Sequence, residues 1–321
     1  MTTYRRAAAL AAIAILSALA AAPGGAQTPS SASSGGALGL TGSDSGKPIN
    51  IEAEKGVEWQ QNNRVYIARG NAKATRGETS VTADTLYAYY RAATSAAATP
   101  RTTPTPASSA LDTGSTQIYR IEAEGNVVFA TPTQTAYGDH AVYDVDQTVL
   151  VVTGKNLKIV TPQDVVTARD SFEWYDQKQI GVARGDALAV RTGPVQKSIR
   201  GDVLVSEVSK PENQPSKISK VDAHGHVILT SQDEIAQGDT AVYNLDTGIA
   251  TLSGHVSLTR GDNQLRGQYG VVDTNKNVAR LLSAPPSAQL TGPRPRVEGL
   301  LIPPQRNPAS DTAAPPNNAK P

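Results

Sequence analysis

The residues of this chain whose types and spacing could do chemistry are its four histidines, a set of Gly-Asp pairs and two Glu-Trp pairs. His224-Gly225-His226 would put two imidazoles on one face of an extended strand, a spacing that suits a metal ion. Gly138-Asp139, Gly185-Asp186, Gly201-Asp202, Gly238-Asp239 and Gly261-Asp262 offer the glycine and carboxylate of a calcium-binding repeat. Glu58-Trp59 and Glu173-Trp174 set a carboxylate beside an aromatic ring, as a carbohydrate platform would. Each has a plainer reading. His226 and His255 follow a recurring glycine, where other copies carry Asn71, Asn126, Lys155 and Asp186, so both read as solvent-facing turn residues. The Gly-Asp pairs lie too far apart for the nonapeptide repeat that binds calcium, and turn chemistry accounts for them. The Glu-Trp pairs recur at one place in a repeat, which points to a structural cap on a strand. No serine sits in a strained strand-to-helix turn, and no nucleotide loop is present. The residues therefore lead to a protein that is not an enzyme and takes no metal or cofactor.

The recurring glycines belong to a duplication. Residues 118–154 (IYRIEAEGNVVFATPTQTAYGDHAVYDVDQTVLVVTG) return one hundred residues later as 218–254 (ISKVDAHGHVILTSQDEIAQGDTAVYNLDTGIATLSG). A second duplication, offset by 115, relates Glu58–Ala72 to Glu173–Ala187 and keeps the phrase Ala-Arg-Gly-(Asn/Asp)-Ala. From Gly125 onward the glycines at 154, 185, 225 and 254 are spaced by 29, 31, 40 and 29 residues. The unit is about 30 residues, with one enlarged turn expected around Gly193–Pro215.

Within each unit apolar residues alternate with a period of two, as in Ile49-Asn50-Ile51-Glu52-Ala53 and Val65-Tyr66-Ile67, the pattern of a half-buried strand. Turn-prone clusters at Gln61-Asn62-Asn63, Asp144–Gln147, Asn244–Gly248 and Asp273–Asn277 separate the strands. The fold class is all-β. Many inward positions are alanine, including Ala72, Ala74, Ala83 and Ala88. Two interiors fit that pattern: a sandwich closed by Leu and Ile, or an unfilled trough that could hold an acyl chain.

The flanks are of another kind. Residues 1–26 combine Arg5-Arg6, an apolar run Ala7–Ala22 and the small residues Gly24-Gly25-Ala26, which reads as a cleaved signal and predicts an exported protein. The run of about 16 residues is short of the ~20 that a spanning helix needs. Residues 27–47 form a flexible lead-in, 48–282 the folded part, 92–116 a disordered insertion and 283–321 a disordered tail with ten prolines. There is no cysteine, so no disulfide holds the fold and no lipoprotein anchor is possible. Without Arg5 and Arg6 the chain carries 28 basic and 29 acidic residues, a net charge of −1, which gives no footprint for nucleic acid.

Lys47-Pro48-Ile49-Asn50-Ile51-Glu52-Ala53-Glu54, Ala68-Arg69-Gly70-Asn71-Ala72, Thr82-Ala83-Asp84-Thr85-Leu86 and Gly138-Asp139-His140-Ala141-Val142-Tyr143 resemble phrases of the OstA-like family. The resemblance implies an elongated twisted β-jelly roll of two antiparallel sheets, repeat-built and open at both ends. It implies a periplasmic bridge protein that binds lipopolysaccharide, with the acyl chains of lipid A in an apolar groove. Ile49, Ile51, Phe129, Tyr143 and Val145 match lipid-facing positions of the family, and the internal repeat adds Tyr243 and Leu245 as second copies. The implied partners are LptC with the LptB, LptF and LptG transporter at the inner membrane, LptD with LptE at the outer membrane, and further copies of the chain joined head to tail. An anchored relay of the LptC kind is an alternative within the pathway. From other classes, an exported β-helix polysaccharide-active enzyme would need an acidic cluster on one face, and an adhesin many more near-identical repeats.

Overall fold

The computed structural model describes residues 49–92, 116–209, 217–232, 234–286 and 296–302. The export signal, the lead-in, the interior of the 92–116 insertion and most of the tail lie outside the described residues. Apart from a single 3-10 turn at Asp176–Lys178, every described element is a strand. In chain order they are β1 (Asn50–Glu52), β2 (Val57–Gln60), β3 (Val65–Arg76), β4 (Thr79–Ala92), β5 (Thr116–Ala130) and β6 (Thr135–Asp144). There follow β7 (Val149–Thr153), β8 (Leu157–Val160), β9 (Asp164–Ala168), β10 (Ser171–Tyr175), β11 (Ile180–Arg191) and β12 (Lys197–Ser209). The last are β13 (Lys217–Ser231), β14 (Glu234–Asn244), β15 (Ile249–Arg260), β16 (Asn263–Asp273), β17 (Val278–Leu282) and β18 (Glu298–Leu300).

All eighteen join in one antiparallel sheet. Four passes of the chain are broken in two. Strands β1 and β2 pair with the two halves of β3, β7 and β8 with the halves of β6, β9 and β10 with the halves of β11, and β17 and β18 with the halves of β16. The unbroken passes bend at the same level. The inward residues of both halves join one apolar core that runs from Ala68 to Val272. The result is a β-jelly roll whose two layers are the two arms of the same bent strands.

The bend is a repeated piece of backbone chemistry. On alternate passes two residues bulge opposite a single partner, as between Arg69 and Ala72, Glu124 and Val127, Arg184 and Ala187, and His224 and Val227. The two are always glycine and a polar residue, and both have positive φ. The pairs are Gly70-Asn71, Gly125-Asn126, Gly185-Asp186, Gly225-His226 and Gly254-His255. Asn, Asp and His are the side-chain-bearing residues that best tolerate the left-handed region. The glycine is needed for a second reason: at Gly125, Gly225 and Gly254 a Cβ would run into the carboxylate of Asp84, Asp202 and Asp239 on the neighbouring strand. That aspartate then accepts a hydrogen bond from the polar residue beside the glycine. Asn126 Nδ2 donates to Asp84 at 3.0 Å, the Lys155 amide to Asp139 at 2.8 Å, and the rings of His226 and His255 meet Asp202 and Asp239 at 2.9 and 2.8 Å.

His226, His255 and most of the Gly-Asp pairs are thereby accounted for, with a correction of place. The recurring glycines at 70, 125, 185, 225 and 254 lie in the middle of strands, at bends, and Gly154 lies at the break between β7 and β8; of the Gly-Asp pairs, only Gly261-Asp262 is a hairpin turn. Two further expectations are revised. The segment Gly193–Pro215 is not one enlarged turn, because it contains the thirteen-residue strand β12. The tail beyond residue 283 is not wholly outside the roll, because β18 pairs with Gln264–Arg266. The Glu-Trp duplication is explained by ion pairs: Arg69 binds Glu58 at 2.7 Å and Arg184 binds Glu173 at 2.6 Å, each across the first strand pairing of its repeat. The hydrogen bond from Arg184 holds the Glu173 carboxyl below the usual carboxylate range.

The bend predicts a sharp contrast between glycines. Replacing Gly225 with alanine should cost about 1–3 kcal/mol in urea unfolding, from left-handed strain and displacement of Asp202. The open Gly193, with nothing nearer than 3.8 Å to a Cβ, should tolerate alanine within about 0.5 kcal/mol. Equal costs at the two positions would contradict the role given to the bend.

Candidate functional site

Alternation along bent strands points a row of side chains from each arm into the interior, and the sizes of those side chains decide whether it fills. Beneath β12–β16 the interior is packed: Leu252, Val227 and Val256 are 0–1 % exposed. Beneath β1–β7 an apolar cavity of about 270 Å³ remains. One arm supplies Ala74, Val81 and Phe129, and the other supplies Leu86, Ile121, Ala123, Ala141, Tyr143 and Leu150. Three of these inward positions are alanine, and a methyl group at each leaves space that a leucine would fill. Thr75, Arg76 and Thr79 from one arm and Thr116 and Gln117 from the other form a polar lip around the apolar space. A smaller space of about 30 Å³ adjoins it through Ile49, Ala74, Leu86, Ile118 and Ile121.

The structure brings Ile49, Phe129, Tyr143 and Val145 onto the wall of the larger cavity. Ile51 lies on the smaller space beside it, with Tyr66 and Ala88. Tyr243 and Leu245 are elsewhere: both pack half-buried against the core of the second block and line neither space. The Tyr243 hydroxyl lies 3.2 Å from Thr274 Oγ1. The inward residues Val127, Leu150 and Val152, which also line the cavity, belong with Phe129 and Tyr143. The same period-two alternation would have identified them, since Val127 and Phe129 flank one outward residue, and Leu150 and Val152 another.

On the outer surface of β5 and β6, Glu122, Glu124 and His140 bring their ligand atoms within 4.8 Å of one another, a set that could hold a metal ion. His140 Nε2 lies 3.0 Å from Glu122, Arg120 lies 3.5 Å from the same carboxylate, and the Tyr87 hydroxyl donates to Glu124 at 3.1 Å. These contacts give the carboxylates internal partners. Burial and the acceptor Glu124 raise the Tyr87 phenol above its ordinary range, so it stays a donor at neutral pH.

Comparison with known proteins fits this geometry. The profile of one family, described as LptA/(LptD N-terminal domain) LPS transport protein, matches residues 50–179 and again residues 170–278. The chain belongs to this family. As an LptA/LptD N-terminal domain protein it carries the family's unit twice, and the two matches overlap at residues 170–179, across β10 and the 3-10 turn that follows it. Among solved structures, the chain is similar to LptH, the LptA homologous periplasmic component of the conserved lipopolysaccharide transport device from Pseudomonas aeruginosa. That likeness has 22 % identity, covers 44 % of this chain and 95 % of LptH, and has a TM-score of 0.37. Comparison with curated proteins gives no match.

Filling the cavity and overfilling the packed core should separate cleanly. Ala141→Phe, which points into free space, should leave the fold intact and weaken binding of an apolar fluorescent probe by about tenfold or more. Ala250→Phe, at a 0 % exposed position, should cost about 1–3 kcal/mol of stability. Unchanged probe binding in Ala141→Phe would show that the probe does not use this cavity.

Proposed function

We propose that the chain is a periplasmic lipopolysaccharide-binding bridge protein, with acyl chains held in the interior of the first block and the sugars outside. The observation that carries this is the meeting of Ile49, Phe129, Tyr143 and Val145 on one apolar cavity with a polar lip. The physical demand is large. Each methylene taken out of water is worth about 0.8 kcal/mol, so a twelve-carbon chain needs roughly 10 kcal/mol of apolar contact to travel unaggregated. Surface charge cannot supply that; an open, alanine-lined interior can.

The edges support a bridge. Trp174 on β10, with β7 on one side and β11 on the other, is 9 % exposed; its repeat partner Trp59 on β2, where only β3 pairs, is 55 % exposed. What differs between the two copies is the missing strand. At the opposite edge β18 leaves Leu300, Leu301 and Ile302 exposed. Ten unbroken and four broken passes, each antiparallel to the next, leave the first and last edges in the sense that lets another copy continue the ladder. On this reading one edge meets LptC of the LptB, LptF and LptG transporter, the other meets LptD with LptE, and copies join head to tail between them.

Photo-crosslinking side chains placed at Phe129 or Tyr143 should trap labelled lipopolysaccharide, and outward Val128 or Val142 should not. Capture from the outward pair alone would refute the interior site. Light scattering should show oligomers that grow with concentration and vanish when Ile49–Ala53 is deleted. A strict monomer at high concentration would refute the bridge.

A further inference from the structure

The two blocks repeat each other in backbone but differ in what stands beside one arginine. The offset of 115 residues that relates Glu58–Ala72 to Glu173–Ala187 also sets Arg76 on Arg191 and Ile49 on Asp164. In the second block Arg191 and Asp164 face each other across β11 and β9, and the guanidinium grips the carboxylate through two hydrogen bonds of 2.7 and 2.9 Å. A guanidinium at this strand end thus presents its fork to an oxyanion. In the first block Asn50 stands opposite Thr75, a register that carries Ile49 to the place beside Arg76. The carboxylate's place is therefore held by an apolar side chain, and both Ile49 and Arg76 line the apolar cavity. Among the described residues of that cavity's wall, Arg76 is the one charged residue, and no carboxylate lies there. The polar groups around it can all donate. Thr75, Thr79 and Thr116 bring hydroxyls, and Gln117 Oε1 accepts from Arg91 at 3.3 Å, which makes the Gln117 amide nitrogen the end that donates. Arg91 is itself fixed by Asp146 through two hydrogen bonds of 2.8 Å. A cationic fork ringed by donors, at the mouth of an apolar cavity, fits an amphiphile with an anionic head.

We propose that Arg76 binds the phosphate head group of an acylated amphiphile whose chain lies in the first block's cavity, with the phosphate standing where the Asp164 carboxylate stands in the second block. The proposal rests on the acyl-chain reading above and adds the polar end of the same site. Two phosphate oxygens meet a guanidinium fork as two carboxylate oxygens do, so the second block shows the geometry that the ligand completes in the first. The exchange of Asp164 for Ile49 serves both halves of the site: an aspartate at position 49 would close the fork and put a charge on an apolar wall. The second block, packed beneath β12–β16 and with its arginine held by Asp164, has neither half.

The test is equilibrium binding of decyl phosphate, of neutral decyl glucoside and of inorganic phosphate, the amphiphiles below their micelle concentrations. It uses the full chain, Arg76→Gln, Ile49→Asp and Ala141→Phe, with urea unfolding to show that each variant is folded. The readout is the ratio of the two amphiphile affinities, which a general loss of apolar contact does not move. The intact chain should favour decyl phosphate by about tenfold or more, and Arg76→Gln should remove that preference. Ile49→Asp, which rebuilds the second block's ion pair, should remove it with Arg76 still in place. Preference retained in either variant, or absent from the intact chain, overturns the subsite while leaving the acyl-chain reading standing. Glucoside binding that Ala141→Phe leaves unchanged, or failure of the intact chain to bind either amphiphile, overturns both. Inorganic phosphate that binds as tightly as decyl phosphate, and does so through Arg76, would make this an ion site and overturn the head-group assignment.

Discussion

The two-residue bulge on alternate passes of the sheet is the constraint on which the rest of the structure depends. A glycine and an αL-tolerant polar residue oppose a single residue of one neighbouring strand, and the strand turns there without leaving its hydrogen-bonded ladder. A flat antiparallel sheet of this length would need a second sheet to cover its apolar face. Bending every pass at the same level lets the sheet cover itself, so one run of meandering strands encloses its own core. An aspartate on the other neighbouring strand makes the motif self-checking: the Asp202 carboxylate on β12 occupies the space that any side chain at Gly225 would need, and it bonds the His226 ring.

Once the backbone is bent in this way, the interior is decided by side-chain volume alone. Because the two blocks share their bends and registers, they can differ in function with few substitutions. The first is left underfilled around Ala74, Ala123 and Ala141, and the second is packed by Leu252 and Val256. The polar ends of the strands, where the two arms approach each other, carry the remaining difference, and there a threonine gives way to a lysine.

Much of this was legible in the residues. The period of two, the repeat offsets and the inward alanines lead to bent-strand units and to the cavity wall, because they report local geometry that is repeated along the chain. The meaning of the glycines was less accessible. A Gly-Asn pair in the left-handed region serves equally well between strands or within one, and only pairing on both sides of Gly125 distinguishes them. Strand β12 is obscured by its Ser, Lys and Arg content and by the Pro-Glu-Asn-Gln-Pro that follows, and β18 by its three-residue length among prolines. Tyr243 shows the limit of repeat reasoning. Its backbone place equals that of Tyr143, but its surroundings are set by the side chains of Lys197 and Thr274, where the first copy carries Thr79 and Asp176.

The central claim is that acyl chains occupy the space between the two arms of the bent strands. The most direct measurement is methyl NMR of the deuterated, Ile/Leu/Val-labelled chain loaded with lipid A, reading contacts from acyl methylenes to protein methyls. The account predicts contacts to Ile121, Val127, Leu150 and Val152, which line the cavity. Contacts confined to the outward methyls of Val128, Val142 and Val151 would contradict it.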